Sequence, residues 1–120
     1  MPHLNIEYTR NLRGFDPLQA LARINRACLD SGLFSESDIK SRATAIDCFL
    51  IGVEEQERGF LHARIALLSG RSNLERKELA DAVLAALRSS ITATSGIEIQ
   101  VSVETVEIDR HSYAKTLMHE

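Results

Sequence analysis

The 120-residue sequence predicts an α/β (α+β) fold: a duplicated βαβ unit that builds one four-stranded sheet with two helices on one face. Three observations predict it. Alternating apolar and polar residues mark strands in both halves. A capped helical stripe follows the first strand of each half. A shift of 58 positions lays Pro2–Ser31 on Phe60–Ser89, so the chain states one pattern twice.

The elements follow in order. In His3–Tyr8, Leu4, Ile6 and Tyr8 alternate with His3, Asn5 and Glu7, which is a strand signal. Asp16-Pro17-Leu18-Gln19 opens a helix: Asp16 accepts from free backbone amides, Pro17 suits the first helical position, and Gln19 reaches back. Leu18, Leu21, Ala22, Asn25, Cys28 and Leu29 form its stripe, and Ser31-Gly32 ends it. A polar linker runs through Asp38. Arg42–Ile51, rich in β-branched and aromatic residues, reads as the second strand, and Gly52–Gly59 as a solvated turn.

The pattern then restarts. Phe60–Leu68 alternates, with Leu61, Ala63, Ile65 and Leu67 on one face. Ser72-Asn73-Leu74-Glu75 is a capping box. Leu79, Ala82, Val83, Ala86, Leu87, Ser90 and Ile91 give the second helical stripe, and Ser95-Gly96 breaks it. Ile97, Ile99, Val101 and Val103 alternate with polar residues; at Thr105 the phase slips to Val106 and Ile108, which predicts a bulge.

Under the 58-residue shift Arg13 meets Arg71 at equivalent strand-to-helix turns. Each half gives two parallel strands joined by a crossover helix. Two helices on one face leave the other face bare. A chain this short has nothing left to cover it, so self-association is expected.

Length bounds the chain to a single domain, residues 1–120, with halves 2–52 and 60–108 and a C-terminal tail 109–120. Hydrophobic content of 44% and charged content of 26% match a soluble globular domain. A net charge of −3 gives no reason to expect nucleic acid or an anionic membrane as partner. No apolar run approaches the roughly 20 residues that span a bilayer. No basic-then-apolar leader is present, so the expected location is the cytoplasm. Cys28 and Cys48 lack CxxC spacing and are expected to be small buried apolar residues. His3, His62, His111 and His119 show no metal-ligand spacing, so no metal site is expected.

The stretch Leu67-Leu68-Ser69-Gly70-Arg71-Ser72 before a long helix resembles the Gly-Arg-Ser turn of the tautomerase superfamily. With the Met1-Pro2-His3 start, the doubled βαβ and Ile39-Lys40-Ser41-Arg42, the chain resembles the 5-carboxymethyl-2-hydroxymuconate Δ-isomerase family to about Ile108. The resemblance implies a tautomerase-like homotrimer, with helices outside and sheets lining the centre. It implies an isomerase of bacterial aromatic breakdown, without cofactor or metal. Such an enzyme moves a proton between carbons of an unsaturated, hydroxylated di- or tricarboxylate. It assigns Pro2 as the base and arginines as carboxylate ligands. These are Arg71 and, at the second-strand entry, Arg42, with Lys40 standing where the family usually presents arginine.

The residues support that chemistry independently. A carbon-to-carbon proton shift needs one group that accepts a proton and returns it, and positive charge where enolate character develops. A prolyl amine serves only when uncharged. Free α-amines titrate near 8, so its pKa must be lowered by desolvation and nearby cations. Arg suits carboxylate binding because its planar fork makes two hydrogen bonds. Pro2 has a free amine only when Met1 is gone. In the second half Phe60 stands where a proline would be needed, so one site per chain is expected and Arg13 is a relic of duplication. Tyr113 and Phe49 are candidates for pocket or core packing.

Two rival readings stay open. One is another tautomerase-superfamily chemistry, a keto-enol tautomerase or a hydratase-dehalogenase. The other is a non-catalytic, ferredoxin-like ligand-binding or oligomerisation module, because fold alone does not fix function.

Overall fold

The structure, a computed structural model, describes residues 1–91 and 97–119. It contains β1 (His3–Thr9), α1 (Pro17–Asp30), a short 3-10 turn (Glu36–Asp38), β2 (Lys40–Ile46), β3 (Arg58–Leu68), α2 (Asn73–Ser90) and β4 (Glu98–Ile108). The sheet order is β2-β1-β3-β4. β1 pairs parallel with β2 and β3 parallel with β4, while β1 and β3 run antiparallel at the centre. Both halves are thus βαβ units. The 58-residue shift carries β1, α1 and β2 inside the bounds of β3, α2 and β4.

Both helices pack on one face. Leu4 and Ile6 of β1 and Leu61, Ala63, Ile65 and Leu67 of β3 meet Ile24, Cys28, Leu79, Val83 and Leu87 in a single buried cluster. Burying each such side chain contributes roughly 1.5–3 kcal/mol. Among the described residues, no helix lies over the opposite sheet face.

Local signals explain both helix starts. Asp16 caps α1 by accepting from the Gln19 amide at 3.2 Å, with Pro17 at the first position. Ser72 and Glu75 form the expected reciprocal box on α2, at 3.1 and 2.9 Å. Ser31 ends α1 and Gly32 follows with φ 76°, a conformation that suits glycine.

Several expectations change. The buried face of α1 is Ala20, Ile24 and Cys28, not the stripe through Leu18, Ala22 and Asn25; Leu18 is 75% exposed. Apolar residues ring most of this helix, so its periodicity admits more than one stripe, and the sheet selects the one with Ile24. β2 spans Lys40–Ile46 rather than 42–51. Its pairing begins with His3↔Lys40, and beyond Ile46 there is no more of β1 to pair with. β3 begins at Arg58, inside the expected turn. Thr9 holds that end by accepting from the Phe60 amide at 3.1 Å and donating to the Phe60 carbonyl at 3.4 Å.

No bulge interrupts β4, whose register with β3 is unbroken from Arg58↔Glu98 to Leu68↔Ile108. The phase slip marks instead a change in which face is apolar: Val106 and Ile108 lie on the uncovered face, beside Ala66 and Leu68. Cys28 is buried, which pushes its thiol up to about 12, but Cys48 is exposed on the segment after β2. The helix break expected at Ser95-Gly96 lies outside the described residues. Among those described, no helix is long and apolar enough to cross a membrane.

The α1 assignment is testable by substitution. Ile24→Ala should cost about 2–5 kcal/mol in denaturant unfolding, whereas Leu18→Ala should stay within about 0.5 kcal/mol. Equal losses at the two positions would restore the sequence-derived stripe.

Candidate active site

The antiparallel β1–β3 ladder determines what meets at one end of the sheet. With His3 opposite Ala66, the start of the chain lies beside the end of β3, where Gly70-Arg71 turns into α2. A cavity of about 230 Å³ opens there. Its lining includes Met1, Phe34, Asp38, Arg71 and Arg110. Pro2 lies buried next to Met1, and its carbonyl accepts from the Lys40 amide at 3.1 Å.

Arg71 is held in this cavity rather than free on the surface. Its Nη2 donates to the Leu33 carbonyl at 2.8 Å, and its guanidinium lies 5.6 Å from the Phe34 ring centroid. Gly70 precedes it with φ 118°, which only glycine adopts readily.

The amino terminus sits in a basic neighbourhood. Its amine is lowered from the ordinary value, first by desolvation and then by Lys40, with a smaller push from Lys115 and an opposing pull from Asp38. The tail is ordered against its own chain: Lys115 Nζ donates to Asp38 at 2.9 Å, and the Tyr113 hydroxyl lies 2.8 Å from Met1 Sδ. The hydrogen bond from Lys115 and the positive amino terminus together hold the Asp38 carboxyl below its usual range.

The sequence profile of the 5-carboxymethyl-2-hydroxymuconate isomerase family matches residues 2–120. The chain belongs to this family. It is therefore an isomerase of the tautomerase superfamily. A 5-carboxymethyl-2-hydroxymuconate isomerase from Deinococcus radiodurans R1 superposes with a TM-score of 0.88 at 27% identity, over 96% of this chain and 88% of that one. A 5-carboxymethyl-2-hydroxymuconate delta-isomerase gives 0.75 at 18% identity, over 98% and 89%. A fused 4-OT symmetric trimer gives 0.65 at 15% identity, over 88% and 85%. The last two share the fold. No curated protein sequence is similar enough to count as a match.

Within this isomerase, the sequence-derived site residues are distributed as follows. Pro2, Arg71 and Lys40 converge on the amino-terminal end of the sheet. Lys40 is half-buried, and its Nζ donates to the Asp38 carbonyl at 2.6 Å. Arg42 lies two residues along β2, opposite Asn5, and is exposed. Its Nη2 meets His3 Nδ1 at 2.8 Å. Lys40 and Arg42 share a strand face, as their spacing predicts, but within one chain Arg42 does not reach the cavity that holds Arg71. The His3 pKa is lowered by desolvation and then by Arg42 and Lys40.

The equivalent end of the second half carries different residues. Phe60 occupies the position of Pro2 inside β3, and exposed Arg13 lies 3.4 Å from Glu57. His62, on the uncovered face, contacts Ser102 at 2.7 Å and Glu104 at 2.5 Å. Phe49 packs edge-on against Phe60, 6.3 Å between centroids, away from the cavity. Among the described residues, no group of three or more His, Cys, Asp or Glu side chains is placed to hold a metal.

Sequence reasoning missed Phe34, Asp38 and Arg110. The tail has no period, and the one signal there is local: Asp109 accepts from the His111 amide at 3.0 Å and the Ser112 hydroxyl at 3.2 Å, an Asx-type turn.

The tail contact should respond to pH. Asp38 has a folded pKa below its unfolded value of about 3.9. Its contact with Lys115 therefore contributes fully above that value and is lost as pH falls through the folded pKa. NMR signals of residues 110–119 should shift with a midpoint below 3.9, and Asp38→Asn should show the shifted signals already at neutral pH.

Proposed function

We propose that this isomerase shifts a proton in an unsaturated 2-hydroxy di- or tricarboxylate resembling 5-carboxymethyl-2-hydroxymuconate. Pro2 is the base once Met1 has been removed. The observation that carries this reading is the convergence of the amino terminus and Arg71 in one cavity.

The steps use residues already in place. The uncharged prolyl nitrogen takes a proton from the substrate, generating a dienolate, and returns it to a different carbon. Arg71 binds a carboxylate through the guanidinium nitrogens not engaged with Leu33. Lys40, whose charge helps lower the pKa of the Met1 amine one residue earlier, contributes positive charge near Pro2, which disfavours an ammonium there and favours the developing enolate. Removal of Met1 both frees the prolyl nitrogen and enlarges the cavity, because Met1 is part of its lining. No step calls for a cofactor.

The uncovered sheet face supports homotrimer formation. It carries Phe60, Ala66, Leu68, Val106 and Ile108 among polar residues, a mixture that a partner subunit can cover. Arg42 lies on this face, where it can serve a neighbouring subunit's cavity. The family match and the mainly local charge pattern favour this enzyme over a ligand-binding module.

Three outcomes test the reading. The mature protein should have the mass of residues 2–120, and a form retaining Met1 should be inactive. Pro2→Ala should lower kcat by about 10²-fold or more on 5-carboxymethyl-2-hydroxymuconate. Because an amine with a lowered pKa is neutral above that pKa, kcat/KM should rise with pH through a midpoint below about 8. Unchanged turnover in Pro2→Ala would remove the base assignment. Sedimentation of a monomer at micromolar concentration would remove the trimer.

A further inference from the structure

Arg110 lies just beyond β4, and topology brings it to the same cavity. β4 runs parallel to β3 with Ile108 opposite Leu68, so the residues after β4 lie alongside Ser69-Gly70-Arg71. The Ser69 amide donates to the Ile108 carbonyl at 3.0 Å, and Arg110 Nε donates to the Ser69 carbonyl at 2.5 Å. The Asx-type turn at Asp109 fixes the backbone around it. Its guanidinium lies over Gly70: a Cβ at that glycine would be 3.6 Å from both Nε and Nη2.

Arg110 is thus anchored through Nε. Among the described residues, its Nη1 and Nη2 have no hydrogen-bond partner. Arg71 is anchored in the same manner, through one nitrogen only. Two guanidiniums with unspent donors line one cavity. The sole carboxylate in that lining, Asp38, is engaged by Lys115. The site therefore has an excess of positive charge and an excess of fixed donors.

We propose that Arg110 is a substrate-binding residue that holds a second carboxylate, in the cavity that Arg71 also lines. This inference rests on the isomerase reading above and deepens it. The substrate's carboxylates span Arg71 and Arg110, and Arg110 sets the preference for a substrate whose further carboxylate is carried on a carboxymethyl arm. Each guanidinium offers a planar pair of donors that a carboxylate matches.

The experiment compares kcat/KM for 5-carboxymethyl-2-hydroxymuconate and for 2-hydroxymuconate lacking the carboxymethyl arm, in wild type, Arg110→Gln and Arg110→Lys. In Arg110→Gln the preference for the carboxymethyl substrate should fall at least tenfold, mainly through KM, because a charge-assisted hydrogen bond contributes about 1.5–3 kcal/mol. Arg110→Lys should recover part of it. Equal losses on both substrates, or a fall in kcat with KM unchanged, would overturn the assignment by showing a structural role only. Calorimetric titration with homophthalate, a non-reacting diacid, separates this inference from the base assignment. Pro2→Ala should still bind it, and Arg110→Gln should bind it at least tenfold more weakly than benzoate-normalised wild type. Wild-type diacid binding that survives Arg110→Gln would overturn the second anchor even if Pro2 proves to be the base. Diacid binding without turnover in wild type would overturn the isomerase reading while leaving the anchor supported.

Discussion

The antiparallel ladder between β1 and β3 joins two halves that could not stand separately. Each half holds two parallel strands and a helix with a single apolar face, too little to close a core. Pairing β1 with β3 fuses the two small sheets and brings α1 and α2 side by side over Leu4, Ile6, Leu61, Ile65 and Leu67. The same ladder sets its ends in register. His3 opposite Ala66 places the amino terminus against the turn that carries Arg71. Core and site are thus products of one hydrogen-bonded register, and a slip of one residue would invert every side chain of β1.

That register generates two related corners, and they have diverged. At one, Met1, Asp38, Arg71 and Arg110 line a cavity, with Pro2 and Lys40 beside it. At the other, Thr9 stitches Phe60 into the sheet and Glu57 sits beside Arg13. An N-terminal amine exists once per chain, so a duplicated fold can supply it at one corner only.

Charge follows the same division. The chain is acidic overall, with a net charge of −3, yet Lys40, Arg42, Arg71, Arg110 and Lys115 gather at one end of the sheet. A local field of this kind attracts a small polyanion without making the protein a general anion binder. It also acts on the Met1 amine, where Lys40 adds to desolvation in lowering the pKa.

Much was legible in the sequence where the cause is local. The Ser72–Glu75 box, the Asp16 cap and the alternation of β3 depend on residues within a few positions of one another, and all appear as read. The internal repeat and the Gly70-Arg71-Ser72 turn pointed to the fold and the family for the same reason. Other features depend on partners distant in sequence. The stripe of α1 was ambiguous until the sheet chose Ile24 over Leu18, and the phase change in β4 looked like a bulge because the pattern cannot say which face is covered. Arg110 carried no sequence signal of its own. Only the parallel β3–β4 register brings it to Ser69, and only the antiparallel β1–β3 register brings both to the amino terminus. Sequence determined which elements form; long-range strand pairing decided which side chains share a cavity.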